Sequence, residues 1–278
     1  MSERLQKVFQ LPLQGVTRVI AYLMAGDPTP ETSLSRLRGL ADYGVDILEI
    51  GVPFSDPMAD GPVIQAAAER ALAGKMTVSE TLELVRAFRK THETPVLLMS
   101  YLNPLLRYGW DRFVKDAAAA GADGFILPDL PWGEGKALRE RTEKIVGDSL
   151  TFIPMIAQTS RERDIKAISQ ATKGFAYVLS RNGITGGEAD IPDNVLEFIR
   201  SLKDSLQIPR CVGFGIRTEE QVQILAKVSD GVVVGSALVD RFARLDHDQE
   251  KLTEEEVNAR EQEVFDWLAE LKMGATRK

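Results

Sequence analysis

Eight short apolar runs, rich in branched side chains, recur along the chain, and segments with helically spaced apolar residues lie between them. Strands that alternate with helices pair in parallel, and eight such units within about 250 residues are typical of a closed (β/α)8 barrel. We therefore predict an α/β protein with the (β/α)8 TIM-barrel fold, and an open doubly wound sheet is the alternative. The predicted strands cover residues 19–24, 47–51, 96–99, 124–127, 152–156, 175–179, 210–214 and 231–234.

Three threonines mark predicted helix starts. Thr77, Thr159 and Thr218 each stand three residues before a Glu or Gln, which is the spacing of a capping box. Residues 2–11 are compatible with a further short helix that would close the bottom of the barrel. No linker rich in Pro, Gly or Ser divides the sequence, so we predict a single domain over residues 1–278.

Two stretches are longer than one β/α unit requires. About 45 residues separate the second and third strands, which predicts an extra helix over 63–72. A second extra helix is predicted over 237–242, after the eighth strand, and the charged residues 246–256 are predicted to form a solvated linker and helix start. An amphipathic helix over 257–271 then completes the barrel wall, and residues 274–278 are expected to fray.

The composition limits the classes of partner. Acidic residues (41 Asp and Glu) outnumber basic ones (34 Lys and Arg), and the net charge of −7 favours small molecules or proteins over nucleic acid or anionic membranes. The sole cysteine, Cys211, excludes an internal disulfide. The opening residues lack the apolar run of a secretory signal, and no stretch of eighteen apolar residues occurs. We therefore expect a protein of the cytoplasm.

Acidic side chains dominate the carboxyl ends of the first four predicted strands, where the active site of such a barrel lies. Glu49 lies within the second strand, and Asp60 follows eleven residues later. An ionised carboxylate in a strand is costly unless it is paired, hydrogen-bonded or used in chemistry, so an unpaired Glu49 would have a raised pKa. A Glu paired with a cation, or facing solvent at an edge, is the other interpretation. Asp27, Asp56 and Asp129 also follow these strands.

Glycines dominate the carboxyl ends of the last strands. The segments GFGI at 213–216 and Gly235-Ser236 are typical of a phosphate cradle, in which backbone amides and a helix N-terminus bind the anion. Turns also need glycine for conformational reasons, so this prediction rests on the repetition and not on any single pair. Residues 181–191 contain Gly and Thr and are predicted to form a mobile lid, with a simple connector as the alternative.

Several chemistries are not expected. His92 and His247 lie away from the predicted strand ends and no lysine ends a strand, which argues against histidine catalysis, a His-ligated zinc and a Schiff base. A Mg²⁺ site built from Glu49, Asp60 and the other acids stays conceivable. The favoured interpretation is proton transfer by carboxylates on a phosphorylated substrate. The rest of the pocket would suit a flat aromatic ligand and would be lined by Tyr22, Met99, Tyr101, Ile156, Tyr177 and Phe214.

Four segments of the sequence are long and specific: LEIGVPFSDPMADGPVIQ from residue 48, YVLSRNGITG from residue 177, GFGI from residue 213 and VVVGSALV from residue 232. Together they resemble the α subunit of tryptophan synthase. The resemblance extends over nearly the whole chain. It implies a (β/α)8 barrel that cleaves indole-3-glycerol phosphate to indole and glyceraldehyde 3-phosphate without a cofactor of its own.

The resemblance also implies roles for individual residues. Glu49 would be the acid and base, Asp60 would bind the indole N–H, and Thr185 on the lid would help to position Asp60. Two residues depart from the family pattern, because Tyr22 stands where Phe is expected and Pro128 stands where a small residue is usual. Both would reshape the indole pocket. Main-chain groups at Gly186, Gly215, Gly235 and Ser236 would hold the phosphate.

A protein partner follows from the same resemblance. Family members dock on a β subunit that carries pyridoxal phosphate, so an α2β2 complex is expected, formed through residues 53–56 and the surface near Asn103 and Pro131. Three alternatives stay open: a stand-alone lyase of the same family, a chain that mainly activates the β subunit, and a metal-dependent phosphosugar enzyme on the same barrel.

Overall fold

The strands of the computed structural model, which describes residues 1–10, 17–179, 191–213, 215–248 and 251–274, form one sheet. They are β1 (Arg18–Met24), β2 (Ile47–Gly51), β3 (Val96–Met99), β4 (Gly124–Ile126), β5 (Thr151–Ile153), β6 (Met155–Ala157), β7 (Ala176–Leu179), β8 (Arg210–Gly213) and β9 (Gly231–Val234). Their spatial order is β5-β4-β3-β2-β1-β9-β8-β7-β6, and all pairs are parallel.

The predicted fifth strand is divided at Pro154 into β5 and β6. Proline has no N–H to donate to a ladder, but the Pro154 carbonyl accepts a hydrogen bond from the Tyr177 amide at 2.9 Å. β5 pairs with β4 and β6 pairs with β7, so β5 and β6 are the first and last strands of the spatial order. The chain passes directly from one to the other through Pro154. The sheet is therefore a nearly closed barrel of eight strand positions. The (β/α)8 prediction is confirmed, and the open doubly wound sheet is wrong.

Helices surround the sheet, and the first of them covers the bottom of the barrel. They are α1 (Glu3–Gln10), α2 (Pro30–Asp42), α3 (Pro62–Ala73), α4 (Val78–Arg89), α5 (Leu102–Tyr108), α6 (Trp110–Ala120), α7 (Lys136–Val146), α8 (Glu162–Ala171), α9 (Asp193–Ser205), α10 (Glu219–Ala226), α11 (Ser236–Asp248) and α12 (Glu254–Gly274). None of the helices within the described ranges is long and apolar enough to cross a membrane.

Two of the three predicted helix starts are confirmed. The Thr77 hydroxyl accepts the amide of the third residue of α4, and Thr218 forms a complete capping box with Gln221 at the start of α10. Thr159 does not cap α8, which begins after Arg161 without a side-chain cap. The reason is a tight turn after β6, in which the Ser160 hydroxyl accepts the amide of Ala157 at 3.0 Å.

The helices α3 and α11 lie where the sequence predicts the two extra helices, over 63–72 and 237–242. α11 continues to Asp248 because Phe242 and Leu245 extend its buried face, so residues 246–248 are helical and not part of a linker. α12 ends at Gly274, which is buried, so the frayed tail does not begin there. Residues 275–278 lie outside the described ranges.

The helix α1 closes the bottom of the barrel, as its sequence allows. Leu5 is fully buried and packs into the barrel interior with residues such as Ile20 and Ile47. The Arg4 guanidinium donates to the buried carboxylate of Asp123, just before β4, at 2.9 Å. The packed bottom leaves the carboxyl ends of the strands as the open end of the barrel.

Candidate active site

Glu49 is the third residue of β2 and lies on the inward face of the barrel. Its register partners are Tyr22 of β1 and Leu97 of β3, and Leu97 belongs to the barrel interior. The side chain is completely buried, and neither carboxylate oxygen has a hydrogen-bond partner among the described residues. Burial first, and the negative charge of Asp60 second, raise the pKa of Glu49 to about 8. Glu49 is therefore not a solvent-facing edge residue, and at neutral pH it holds a proton that it can donate.

Asp60 lies on the loop between β2 and α3, beside Tyr101, the residue that precedes α5. The Tyr101 hydroxyl donates to Asp60 Oδ2 at 3.1 Å and accepts the Ala59 N–H at 2.8 Å. The side-chain amide of Gln65 in α3 donates to the Asp60 carbonyl at 2.9 Å. Burial, followed by the charge of Asp60, raises the pKa of Tyr101, so its phenol stays protonated and keeps donating. These contacts hold the loop where the charge of Asp60 acts on Glu49.

Two buried tyrosines complete the inward face near Glu49. Burial is the main cause that raises the pKa of Tyr22 and of Tyr177, and the negative charges of nearby carboxylates add to it. Glycines at the strand ends make room for the two rings. A Cβ on Gly51 would overlap the Tyr22 hydroxyl, and a Cβ on Gly213 would lie 2.9 Å from the Tyr177 ring. Both phenols therefore stay neutral at the mouth of the barrel, where they are able to donate hydrogen bonds.

The inward residue of β6 is Met155 and not Ile156. Ile156 pairs with Val178 and packs in the layer between sheet and helices, so its predicted place in the pocket is wrong. Side chains alternate along a strand, and Met155, in register with Tyr177, packs against the barrel interior. The apolar run 152–156 gives no alternation that would show this. Met99 lies two residues after the inward Leu97 on β3 and packs against the barrel interior.

The glycine-rich half of the site centres on the start of α11. The carbonyl of Gly235 accepts the N–H groups of Leu238 and Val239, and Ser236 begins the helix. N–H groups in the first turn of a helix have no partner within the helix, and they form the positive end of its dipole. Gly215 has φ +76°, and, its chain neighbours aside, no atom of the described residues lies within 4 Å of where its Cβ would stand. Three predicted site residues, Thr185, Gly186 and Phe214, lie outside the described ranges.

Two other acids at the strand ends have structural contacts. Asp27 accepts two hydrogen bonds from the Arg70 guanidinium, at 2.7 and 2.8 Å. Both oxygens of Asp129 accept the Leu102 N–H at 3.0 Å, which satisfies the first amide of α5. Within the described ranges, no group of three or more His, Cys, Asp or Glu side chains is arranged to hold a metal ion.

The loop that carries Asp60 also presents an apolar surface. Phe54 packs against Tyr101, with their ring centroids 5.5 Å apart. Met58, further along the loop, is 92% exposed. The loop therefore connects the neighbourhood of Asp60 with the outside of the molecule.

The fold and the site define a class of protein. A protonated carboxyl, a second carboxylate and a helix N-terminus all lie at the carboxyl ends of the strands of one parallel barrel. This is the arrangement of a (β/α)8-barrel enzyme that works by acid–base catalysis.

The chain belongs to the tryptophan synthase alpha chain family, whose model matches residues 10–266. A tryptophan synthase alpha chain from Carboxydothermus hydrogenoformans is 43% identical over 227 residues, which are 82% of this chain and 84% of the relative. The crystal structure of the alpha chain from Legionella pneumophila has a TM-score of 0.84 and 34% identity, with 99% of this chain and 97% of the other covered. Tryptophan synthase from M. tuberculosis, in an open form, has a TM-score of 0.83 and 31% identity, with 100% of both chains covered.

Proposed function

We propose that Glu49 and Asp60 are the residues with which this chain cleaves indole-3-glycerol phosphate to indole and glyceraldehyde 3-phosphate. This retro-aldol cleavage is the reaction of the tryptophan synthase alpha chain, a carbon–carbon lyase of tryptophan biosynthesis. One observation carries the assignment: Glu49 is completely buried close enough to Asp60 that burial and the Asp60 charge together raise its pKa. A group with a pKa near the working pH can both give and take a proton.

In the first step, Glu49 donates its proton to C3 of the indole ring. The new C–H bond uses ring π electrons, so positive charge develops on the ring nitrogen. Asp60 accepts a hydrogen bond from that N–H and stabilises the charge, and Tyr101 holds the Asp60 carboxylate in place at 3.1 Å. Glu49 and the rings of Tyr22 and Tyr101 are buried, and the low polarity of these surroundings strengthens the electrostatic stabilisation.

In the second step, the Glu49 carboxylate removes the proton from the hydroxyl on the carbon attached to the ring. As the O–H electrons form the aldehyde C=O, the C–C bond breaks and its electrons return to the ring. Indole and glyceraldehyde 3-phosphate result, and Glu49 holds a proton again. The proton given to C3 equals the proton taken from the hydroxyl, so the cycle needs no cofactor, in agreement with the alpha chain of tryptophan synthase.

The phosphate of the substrate would bind at the first turn of α11. Gly235 and Ser236 lie at the positive end of this helix. Gly215 follows β8, which pairs with β9, the strand that leads into this helix, and no described residue beyond its chain neighbours crowds its Cβ position. Binding by main-chain N–H groups requires no lysine or arginine. The same cradle would include Gly186, and Thr185 would help to position Asp60 when substrate is bound.

The partner of an alpha chain is the β subunit of tryptophan synthase, which carries the pyridoxal phosphate. We propose that this chain forms an α2β2 complex through the loop over 53–58 and the neighbouring surface at Asn103 and Pro131. The exposed Met58 and the packing of Phe54 on Tyr101 support this proposal, because they link the surface to the site. We further propose the cytoplasm as its location, where Cys211 would stay reduced.

The test is indole release from indole-3-glycerol phosphate by the purified chain, with and without a β subunit. Glu49→Gln and Asp60→Asn keep the shape of each side chain, and each is expected to lower kcat by roughly 100-fold or more. Glu140→Gln and Asp111→Asn are the matched controls, because both acids lie on the surface away from the site. Near-normal turnover by Asp60→Asn would contradict the proposal.

The same assay separates the alternatives. Release that is unchanged by a β subunit, together with a monomer in size-exclusion chromatography, would indicate a stand-alone lyase. An inactive chain that still accelerates the β reaction would indicate an activator. Activity that is lost with a chelator and restored by Mg²⁺ would indicate a metal-dependent enzyme.

A further inference from the structure

Arg70, near the end of α3, is bound to a residue that follows β1. Its Nε and one terminal nitrogen donate to the two oxygens of Asp27 at 2.7 and 2.8 Å, and the Asp27 side chain is only 9% exposed. A planar guanidinium that grips a carboxylate with two bonds fixes both distance and orientation. The pair therefore ties one end of α3 to the barrel.

The other end of α3 is tied to Asp60. The helix begins at Pro62, two residues after Asp60, and the Gln65 side chain donates to the Asp60 carbonyl at 2.9 Å. Between the two ties, a buried face of small side chains lets α3 pack closely on β1 and α11. That face consists of Ala67, Ala68 and Ala71.

We propose that Arg70 is a positioning residue for Asp60: its ion pair with Asp27 fixes α3 against the end of β1, and α3 in turn fixes the Asp60 main chain opposite Glu49. The proposal rests on the proposed roles of Glu49 and Asp60. Neither Arg70 nor Asp27 needs to touch the substrate. Asp246 of α11 also faces Arg70 and adds a second negative charge to its surroundings.

Breaking the Arg70–Asp27 ion pair should lower the pKa of Glu49, an effect that general destabilisation of the protein would not produce. The charge of Asp60 is one of the two causes that raise the pKa of Glu49. If α3 is released and Asp60 moves away from Glu49, this contribution weakens, and Glu49 loses its proton at a lower pH. A variant that is merely less stable would keep the ionisation of Glu49 where it is.

The experiment compares Asp27→Asn and Arg70→Lys with the wild-type chain. The carbonyl stretch of the protonated Glu49 carboxyl is followed by difference infrared spectroscopy across pH, and Glu49→Gln assigns the band. We expect the midpoint of this band to move to lower pH in both variants. In the indole-release assay, kcat is expected to fall by about 10- to 100-fold with a smaller change in KM, because catalytic groups tolerate little misplacement.

Two further variants make the outcome decisive. The double variant Asp60→Asn/Asp27→Asn is expected to have the same Glu49 midpoint as Asp60→Asn alone, because the negative charge of Asp60 is already absent. Arg141→Lys alters a surface ion pair with Asp111 far from the site and is expected to change neither midpoint nor kcat. An unchanged midpoint in a folded Asp27→Asn protein would overturn the inference. A wild-type chain that releases no indole would instead overturn the proposed function, while the infrared titration would still test the role of Arg70.

Discussion

The Tyr101 hydroxyl donates to Asp60 Oδ2 at 3.1 Å, although 41 residues separate the two in the chain. The same hydroxyl accepts the Ala59 N–H at 2.8 Å, so the tyrosine binds both the side chain and the main chain of the loop. Tyr101 itself is held at the end of β3, where it precedes α5. The position of the Asp60 carboxylate is thus set by a neighbouring strand as well as by its own loop.

Tyr101→Phe is expected to lower kcat by roughly 10- to 100-fold, because it removes a hydrogen bond to a charged group and keeps the ring. Steady-state indole release measures the effect. Tyr108→Phe is the matched control, since it removes a hydroxyl that donates to Asp116 at 2.6 Å away from the site, and its kcat should stay at the wild-type level. Equal losses in the two variants would show that Tyr101 does not act through Asp60.

The raised pKa of Glu49 predicts how activity depends on pH. The first step needs protonated Glu49, so kcat should fall as pH rises through about 8. Asp60→Asn removes one cause of the raised pKa, so the residual activity of that variant should fall at a lower pH. A pH–rate profile of each protein tests both statements, and identical alkaline midpoints would contradict the coupling of the two carboxyl groups.

Glu49 is needed for activity, but its buried carboxyl lowers the stability of the fold at neutral pH. A carboxyl with a folded-state pKa near 8 and an ordinary unfolded-state pKa stabilises the fold fully only below about 4.5, and this contribution is lost as pH rises toward 8. Glu49→Gln should therefore be more stable than wild type by about 3 kcal/mol at pH 7, while it is inactive. Urea unfolding at pH 5 and pH 7 should show that the difference in free energy of unfolding between Glu49→Gln and wild type increases with pH. A less stable Glu49→Gln protein at both pH values would contradict the buried, protonated state.

The sequence predicts most of what depends on local pattern. The strands, the two inserted helices and the placement of Glu49 and Asp60 follow from periodicity and from the carboxyl-end rule for barrels. Ile156 is wrong because the run 152–156 is apolar at every position, and only pairing in register with Tyr177 selects Met155 as inward.

Contacts between distant segments could not be predicted. The bonds from Tyr101 to Asp60 and from Arg70 to Asp27 join residues 41 and 43 positions apart, and each depends on how separate elements pack against one another. The Thr159 prediction is wrong for a local reason: residues 157–160 form a turn in which the Ser160 hydroxyl accepts the Ala157 amide, and α8 begins only at Glu162. Motif spacing locates the groups that do the chemistry, and the packing of separate elements determines how they are held.

Gly51→Ala is expected to disrupt the site, since the added methyl group would overlap the Tyr22 hydroxyl. Crowding of this kind costs about 1–3 kcal/mol, and the displaced ring should also lower kcat. Tyr22→Phe removes the overlapping oxygen and should restore part of both losses in the double variant. Gly133→Ala is the control, because, apart from its chain neighbours, no atom in the described part of the chain lies within 4 Å of its Cβ position. Strict additivity of the two substitutions, measured by urea unfolding, would contradict the overlap.

Arg36 joins three helices through a buried ionic cluster. Its guanidinium, 3% exposed, donates to both oxygens of Asp246 in α11 at 2.9 and 2.5 Å and to Glu261 in α12 at 3.0 Å. Arg36→Met leaves two carboxylates without their cation and should cost roughly 3–5 kcal/mol in the free energy of unfolding. Adding Asp246→Asn and Glu261→Gln should recover most of that loss, because uncharged groups need no counter-charge.

Arg141→Met, which breaks an exposed ion pair with Asp111, should change stability little. Urea unfolding compares the four proteins, and a triple variant no more stable than Arg36→Met would show that Arg36 acts by packing on Phe242 and not by charge.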